Sequence, residues 1–418
     1  MIEELVCVNC GAKYSTRDRG DEPQVWMTCP TCGPAEGILD FRFNLAAVRK
    51  AWDAKPLASR PLNHWRYAEL LPIKPSSVRY DWQVGWTPVI AAERLAKELG
   101  LKRVLLEDEG RNPSASFKDR ASSVGVAHAL EVGATTIACA STGNAATSLA
   151  CHAALAGMQA NIFVPSTAPE PKLAQLLVFG ARVFAVEGTY DQAYQLCSTA
   201  CEKFGWYNRN CAINPVLVEG KKTAGLEVAE QSVAFGGVPD WIAVSIGDGC
   251  TIAGIWKGLA EMKALGVIDR LPRLLGVQAA GVAPIPYAME HNKLPAPGAG
   301  TTMADSIDVQ VPRNWRKAVN ALRDANGVVV CVSDEQILDA IRLSGKQGVF
   351  AEPAAAAALA GVVAALDDKI IKPGESVLAM ITGSGLKDIR SSIRAGGQPL
   401  RVKPDLAAVA AAIENSKS

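Results

Sequence analysis

A chain of 418 residues with 43 basic and 42 acidic side chains has a net charge of +1, which offers no electrostatic handle to nucleic acid or an anionic membrane surface. Its length allows a large buried core and predicts two or three domains. No apolar run approaches the roughly 20 residues of a membrane span, and the acidic start Met1-Ile2-Glu3-Glu4 lacks the apolar stretch of a secretory signal.

Eleven cysteines in such a chain point to the reducing cytoplasm, with four of them set aside for a metal. Cys7-Val8-Asn9-Cys10 and Cys29-Pro30-Thr31-Cys32 are two CxxC turns separated by eighteen residues, each followed by a glycine, Gly11 and Gly33. A CxxC turn places two thiolates on one side of a tetrahedron, so Cys7, Cys10, Cys29 and Cys32 read as a Zn2+ ribbon over residues 1–40. With no basic cluster nearby, the expected role is to staple a small domain rather than to grip nucleic acid. Residues 40–85 are rich in Trp and Pro and read as an extended arm packed over a larger body.

Beyond the arm, apolar runs at 104–107, 136–140, 161–164 and 182–186 alternate with helical stretches at 116–129, 145–156, 171–179 and 191–204. Further strands are expected at 241–245, 274–278, 328–332 and 377–381. This alternation is the pattern of open α/β sheets. The alanine run Ala354–Ala358 suits close contact between a helix and a sheet, and residues from 404 onward read as a surface helix with a frayed end.

Four loops at predicted strand ends carry the candidate chemistry, the usual place for ligands in such sheets. The first is Asn112-Pro113-Ser114-Ala115-Ser116-Phe117-Lys118-Asp119-Arg120. A lysine at a helix start beside small hydroxylated residues suits an aldehyde cofactor, and Ser114 and Ser116 can donate to a phosphate. The second, Ser141-Thr142-Gly143-Asn144, offers hydroxyls and helix-start N–H groups to a carboxylate, although alone it is equally an ordinary helix cap. The third, Gly247-Asp248-Gly249-Cys250-Thr251, exposes backbone N–H groups to a phosphate, as does many a tight strand-to-helix turn. The fourth is Thr382-Gly383-Ser384-Gly385-Leu386-Lys387-Asp388. His64, His128, His152 and His291 fall in no metal spacing and read as packing or surface. Cys139, Cys151, Cys197, Cys201, Cys211 and Cys331 read as small buried apolar residues.

The first loop resembles the cofactor-lysine motif of the tryptophan synthase β-like pyridoxal phosphate enzymes, fold type II. Phe117 before the lysine and Asp119-Arg120 after it are similar to the threonine synthase branch. So are the TGxGLKD string at Thr382, Glu352-Pro353-Ala354-Ala355, and the lead-in from Trp65-Arg66-Tyr67 to Gly85-Trp86-Thr87-Pro88. The resemblance covers most of the chain after Gly85. It implies an α/β fold of two open twisted domains behind the ribbon: residues 41–119 with 220–403 as the large cofactor domain, 120–219 as the small domain, and 404–418 as tail. It implies pyridoxal 5'-phosphate held by Lys118 beside Phe117, Asn144 at its phenolic oxygen, and Gly247, Asp248, Gly249, Cys250 and Thr251 at its phosphate. Thr382 would face the ring nitrogen. Ser141, Thr142 and Lys222 would bind an amino-acid substrate, and Glu352 would be structural. The implied activity is conversion of O-phospho-L-homoserine and water to L-threonine and phosphate; relatives of this fold often pair, which leaves a monomer or a homodimer open.

Three departures bear on the substrate. The family's N-P-x-R-x-E-G-x-K-T segment reads Asn214-Pro215-Val216-Leu217-Val218-Glu219-Gly220-Lys221-Lys222-Thr223, with Leu217 in place of arginine. Asp248 stands where asparagine is common, and Ser114-Ala115 replaces Thr-Gly. Loss of a buried cation opposite a phosphate typically costs roughly 2–5 kcal/mol of binding. Lys221, Lys222, Arg313 and Arg316 are the candidates to offset it. The other reading is a relative that performs β-elimination or β-replacement on an amino acid without a distal phosphate.

Overall fold

The computed structural model describes residues 1–15, 27–168, 170–211 and 213–415, so part of the predicted ribbon (16–26) and the end of the tail (416–418) lie outside the described residues. Strands β1 (Ile2–Cys7), β2 (Lys13–Tyr14) and β3 (Leu39–Phe43) form an antiparallel sheet in the order β2-β1-β3. Leu5, Leu39 and Phe41 are buried on it, a core too small to stand without help from a metal or the body.

Two further sheets follow. The strands are β4 (Val89–Ala91), β5 (Arg103–Asp108), β6 (Thr136–Ala140), β7 (Gln159–Pro165), β8 (Arg182–Val186), β9 (Tyr207–Asn208), β10 (Trp241–Ser245), β11 (Arg273–Ala279), β12 (Val328–Val332) and β13 (Ser376–Ile381). One sheet runs β12-β11-β10-β13-β5-β4, with every pair parallel except β4 with β5. The other is parallel throughout, in the order β8-β7-β6-β9. All eight strands expected beyond the arm are present. β10 and β13 are buried along their whole length, which is why they read as continuous apolar runs. The alanines of the helix Pro353–Asp367 are buried against the larger sheet, where small side chains let the two backbones come close.

Several parts were not anticipated, two short strands and one buried helix among them. β4 and β9 are too short to leave a periodic signal. The helix Val216–Gln231 lies between the helices Lys118–Glu131 and Cys250–Ala264 and is buried almost throughout. Its Glu219, Lys221, Lys222, Thr223 and Glu227 are buried with the rest, so no apolar stripe marks it. Part of that charge ties the ribbon to the body. Lys257 bonds both Glu219 at 2.6 Å and Asp40 of β3 at 3.3 Å, and Lys317 bonds the same Asp40 at 2.8 Å. Burial alone would raise the Asp40 carboxyl, but Lys257 and Lys317 outweigh it and hold it below the ordinary carboxylate range. The arm packs as expected: Trp65, Tyr67, Leu70 and Leu71 are buried, and Arg66 pairs with Glu230 at 2.8 Å.

Candidate active site

β5 ends at Asp108, and a short 3-10 turn, Glu109–Arg111, leads into the Lys118 loop. Asp119 folds this loop back on itself. One carboxylate oxygen accepts from the Ser114 N–H at 2.8 Å, and the other lies 3.0 Å from His152 Nε2. His152 is therefore a buried polar partner rather than plain packing. Ala115 sits at φ 62°, in the left-handed region that an L-residue enters at a cost of about 1–2 kcal/mol. Ala115→Gly should relieve this and, after the entropy that glycine loses, stabilise the fold by about 0.5–1 kcal/mol. Urea denaturation of the variant and parent checks it, and a lower midpoint would contradict the strain.

Phe117, wholly buried, donates its N–H to Thr382 O at 2.9 Å, and Ser384 N–H donates to Ala115 O at 3.1 Å. The first and fourth loops are thus zipped together. The hydroxyls of Ser114 and Ser116 are buried and have no partner among the described residues. The second loop joins through Asn144, whose Nδ2 donates to both oxygens of Glu352 at 2.9 and 3.0 Å. The Glu352 N–H in turn donates to Gly383 O at 3.0 Å. A Cβ on Gly383 would lie 2.4 Å from Glu352 Oε1, so this contact requires glycine. Glu352, expected to be structural, therefore reaches the site: burial pushes its carboxyl up to about 7, against the pull of the Asn144 bond. A carboxylate before Pro353 gives no such signal in a single sequence. Ser141 Oγ accepts from the Gly143 N–H at 3.1 Å.

In the third loop Gly249 holds φ 92° and opens the helix Cys250–Ala264, whose first N–H groups have no intrahelical acceptor. The Asp248 carboxylate turns to the later loop, accepting from the Arg313 N–H at 2.7 Å, from Cys250 Sγ at 3.3 Å and from Asn314 Nδ2 at 3.3 Å. Burial raises its carboxyl, opposed by the Arg313 N–H. Its acidic side chain is engaged by these donors.

The Lys118 amine is pushed down to about 8, chiefly by burial and then by Lys221, with Arg209 adding to this and Cys211 and Glu352 opposing. Lys221 belongs to this neighbourhood and Lys222 does not. Lys222 Nζ bonds Glu219 at 2.6 Å and Glu261 at 2.9 Å and lies 4.0 Å over the Phe43 ring, so its charge is taken up between body and ribbon. Arg316 pairs with Glu36 at 2.9 Å, also toward the ribbon. The Arg313 guanidinium lies over the Tyr194 ring at 4.6 Å. Leu217 is fully buried, its Cδ2 filling the space a Cβ on Gly125 would need. Cys211, expected to be buried and apolar, is partly exposed and accepts from Lys221 Nζ at 3.2 Å, while Cys331 is exposed on β12. A groove of about 550 Å3 between ribbon and body, lined by Phe41, Lys257 and Lys317, contains none of the four loops and is not this site.

A lysine amine of lowered pKa, two buried hydroxyls without partners, and N–H groups at a glycine-rich helix start together fit a phosphorylated aldehyde. In the ribbon, the sulfurs of Cys7, Cys10, Cys29 and Cys32 all lie within 4.8 Å of one another, with Cys7–Cys32 and Cys10–Cys29 both at 3.8 Å. Tetrahedral thiolates about 2.3 Å from one ion would be about 3.8 Å apart, so the cluster is shaped for a metal.

The model of the family described as pyridoxal-phosphate dependent enzymes matches residues 82–383. The chain is 38% identical over 416 residues to a threonine synthase of Methanosarcina acetivorans, covering 98% of each chain. It is 35% identical over 405 residues to a threonine synthase of Methanocaldococcus jannaschii, covering 96% of each. The chain belongs to the threonine synthase family. Solved structures place this member of the family in the same fold as more distant enzymes. A processed threonine deaminase isoform from Solanum lycopersicum aligns with TM-score 0.66 at 19% identity, over 91% of this chain and 99% of that one. Diaminopropionate ammonia lyase from Escherichia coli aligns with TM-score 0.65 at 16% identity, over 94% and 97%. Among the described residues no helix is long and apolar enough to cross a membrane.

Proposed function

We propose that this threonine synthase family member is a pyridoxal phosphate-dependent lyase that converts O-phospho-L-homoserine and water to L-threonine and phosphate. The observation that carries the reading is the joining of the first, second and fourth loops beside a lysine whose amine is lowered to about 8, with the third loop linked to that neighbourhood through Cys250 and Cys211. At pH 7 about one such amine in ten is neutral, against fewer than about one in a thousand at an ordinary lysine pKa. When bound, pyridoxal phosphate supplies the electron sink that weakens bonds at the substrate's α-carbon. The Lys118 amine removes the α-proton and later moves protons at the β-carbon, where water adds once phosphate has left the γ-carbon. Ser141, Thr142 and the N–H groups after them hold the substrate carboxylate, so that the breaking bond keeps its alignment. Asn144, fixed by Glu352, and the Thr382 hydroxyl would hold the cofactor ring, the latter without adding charge to it, and the N–H groups of the loop Gly247–Thr251 would hold its phosphate.

The same proposal places the large domain at 41–119 with 220–403 and the small one at 120–219, supported by the partition of strands between two sheets. It places a homodimer in the cytoplasm, a location that fits a chain of eleven cysteines with four gathered for a metal. The ribbon metal is taken to be Zn2+. Replacing Cys29 and Cys32 together with serine should release the metal and cost roughly 2 kcal/mol or more of stability, with Lys118 untouched. Metal analysis beside a melting curve checks this, and unchanged metal content would end the zinc assignment.

Leu217 favours a second reading, elimination or replacement on an amino acid without a distal phosphate, because this position offers no cation. Incubation of the cofactor-loaded protein with serine and with threonine separates the two. Rapid 2-oxoacid release, without turnover of phosphohomoserine, would select the second.

A further inference from the structure

Buried cations in this protein are, as a rule, matched by carboxylates. Arg120 has Glu109 and Glu227, Lys222 has Glu219 and Glu261, and Lys317 has Asp40. Arg209 and Lys221 break the rule. They are 1% and 3% exposed, and no ion pair is formed by either among the described residues. Lys221 Nζ donates to Cys211 Sγ at 3.2 Å. Arg209 donates through Nη1 to the same sulfur at 3.5 Å and through Nε and Nη2 to Ser122 Oγ at 3.2 and 2.9 Å. The Ser122 hydroxyl carries no charge, and even a Cys211 thiolate would match only one of the two cations, which leaves one desolvated charge of the kind that ordinarily requires an anion.

Their position shows where that anion would lie. Arg209 follows β9, and Lys221 projects from the helix Val216–Gln231, so the small sheet and the long buried helix each contribute one charge. Both act on the Lys118 amine. Cys250, on the glycine loop, brings its sulfur to 4.0 Å from Cys211 O, which sets this pair beside the helix start at Cys250. The Cys211 thiol is pulled well below its ordinary value, by the Cys250 thiol first and then, against burial, by Lys221 and Arg209. Behind the Cys250 thiol, the two cations thus act together on the sulfur that lies between them.

We propose that Arg209 and Lys221 form a phosphate receptor, with Cys211 at its floor. The proposal rests on the function proposed above, in which phosphate has two sources: the cofactor's own group and the substrate's. It also supplies a physical account of how the chain tolerates Leu217, since the missing arginine's charge would come from the residue after β9 and from one turn along the same helix.

The test uses Cys211 as a reporter in the unaltered protein. Iodoacetamide labelling is followed peptide by peptide, with and without inorganic phosphate, in cofactor-free and cofactor-loaded protein, and exposed Cys331 is the internal control. Phosphate should slow Cys211 labelling several-fold while leaving Cys331 unchanged, and Lys221→Gln should raise the phosphate needed by about tenfold or more. If the receptor serves the substrate, protection persists in the loaded protein, and Lys221→Gln raises KM for phosphohomoserine while the visible absorbance is kept. If it serves the cofactor, protection is confined to the cofactor-free protein, and Lys221→Gln weakens pyridoxal phosphate binding but not pyridoxal binding. No protection in either form overturns the proposal, and this readout on the parent protein decides even if the variant fails to fold. Protection without phosphohomoserine turnover would leave the receptor standing and remove the threonine synthase reading instead.

Discussion

Lys118→Ala is expected to abolish turnover, by more than about a thousandfold, and with it the visible absorbance of the cofactor-loaded protein. The fold should survive. No salt bridge holds Lys118 among the described residues, and burial already disfavours its charged form, so the amine does not hold the loop in place. The loop is held instead by Asp119, by the Phe117 N–H on Thr382 and by the Ser384 N–H on Ala115. Circular dichroism and melting temperature should match the parent while phosphate release falls to background. A variant that kept normal activity would remove Lys118 from the chemistry.

Arg120→Leu should have the larger effect on stability, about 3–5 kcal/mol, because it strands buried carboxylates. The guanidinium is fully buried and bonds Glu109 at 2.6 Å, Glu227 at 2.6 Å and Thr223 Oγ1 at 3.1 Å, with Glu107 at 3.7 Å. Burial already raises the Glu227 carboxyl even with Arg120 opposing it, and burial with Glu109 drives Glu107 well above its ordinary range. A carboxyl whose folded pKa exceeds its unfolded one binds its proton more tightly in the fold. Its contribution is present at low pH and is lost as pH rises through the folded pKa. The variant's deficit should therefore shrink as pH falls from 7.5 toward 5.5 in urea denaturation. A deficit below about 1 kcal/mol at pH 7.5 would show that the arginine's charge is not needed there.

What a single sequence discloses differs between loops and helices. The four loops proposed to hold ligands are legible because phosphate and carboxylate binding would need small, hydroxylated and glycine residues at strand ends, and the strands beside them are plain apolar runs. The pair of CxxC turns is legible for the same reason: the tetrahedron dictates the spacing. The helix Val216–Gln231 escaped, since its buried charges are satisfied by distant partners such as Glu261 and Arg120 that no local pattern reveals. Glu352 was passed over because its partner Asn144 lies 208 residues away. Lys221 and Lys222 are neighbours in sequence, and only the direction each takes from the helix separates the one facing Cys211 from the one facing Glu219. Cys211 read as a small apolar filler because the two cations that make it polar come from the residue after β9 and from that same unanticipated helix.

The account's central claim is most directly tested by supplying O-phospho-L-homoserine to the cofactor-loaded protein and measuring threonine and inorganic phosphate together. One threonine for each phosphate released, with no 2-oxoacid, is the predicted result. Absence of both products from a protein whose cofactor absorbance is normal would contradict it.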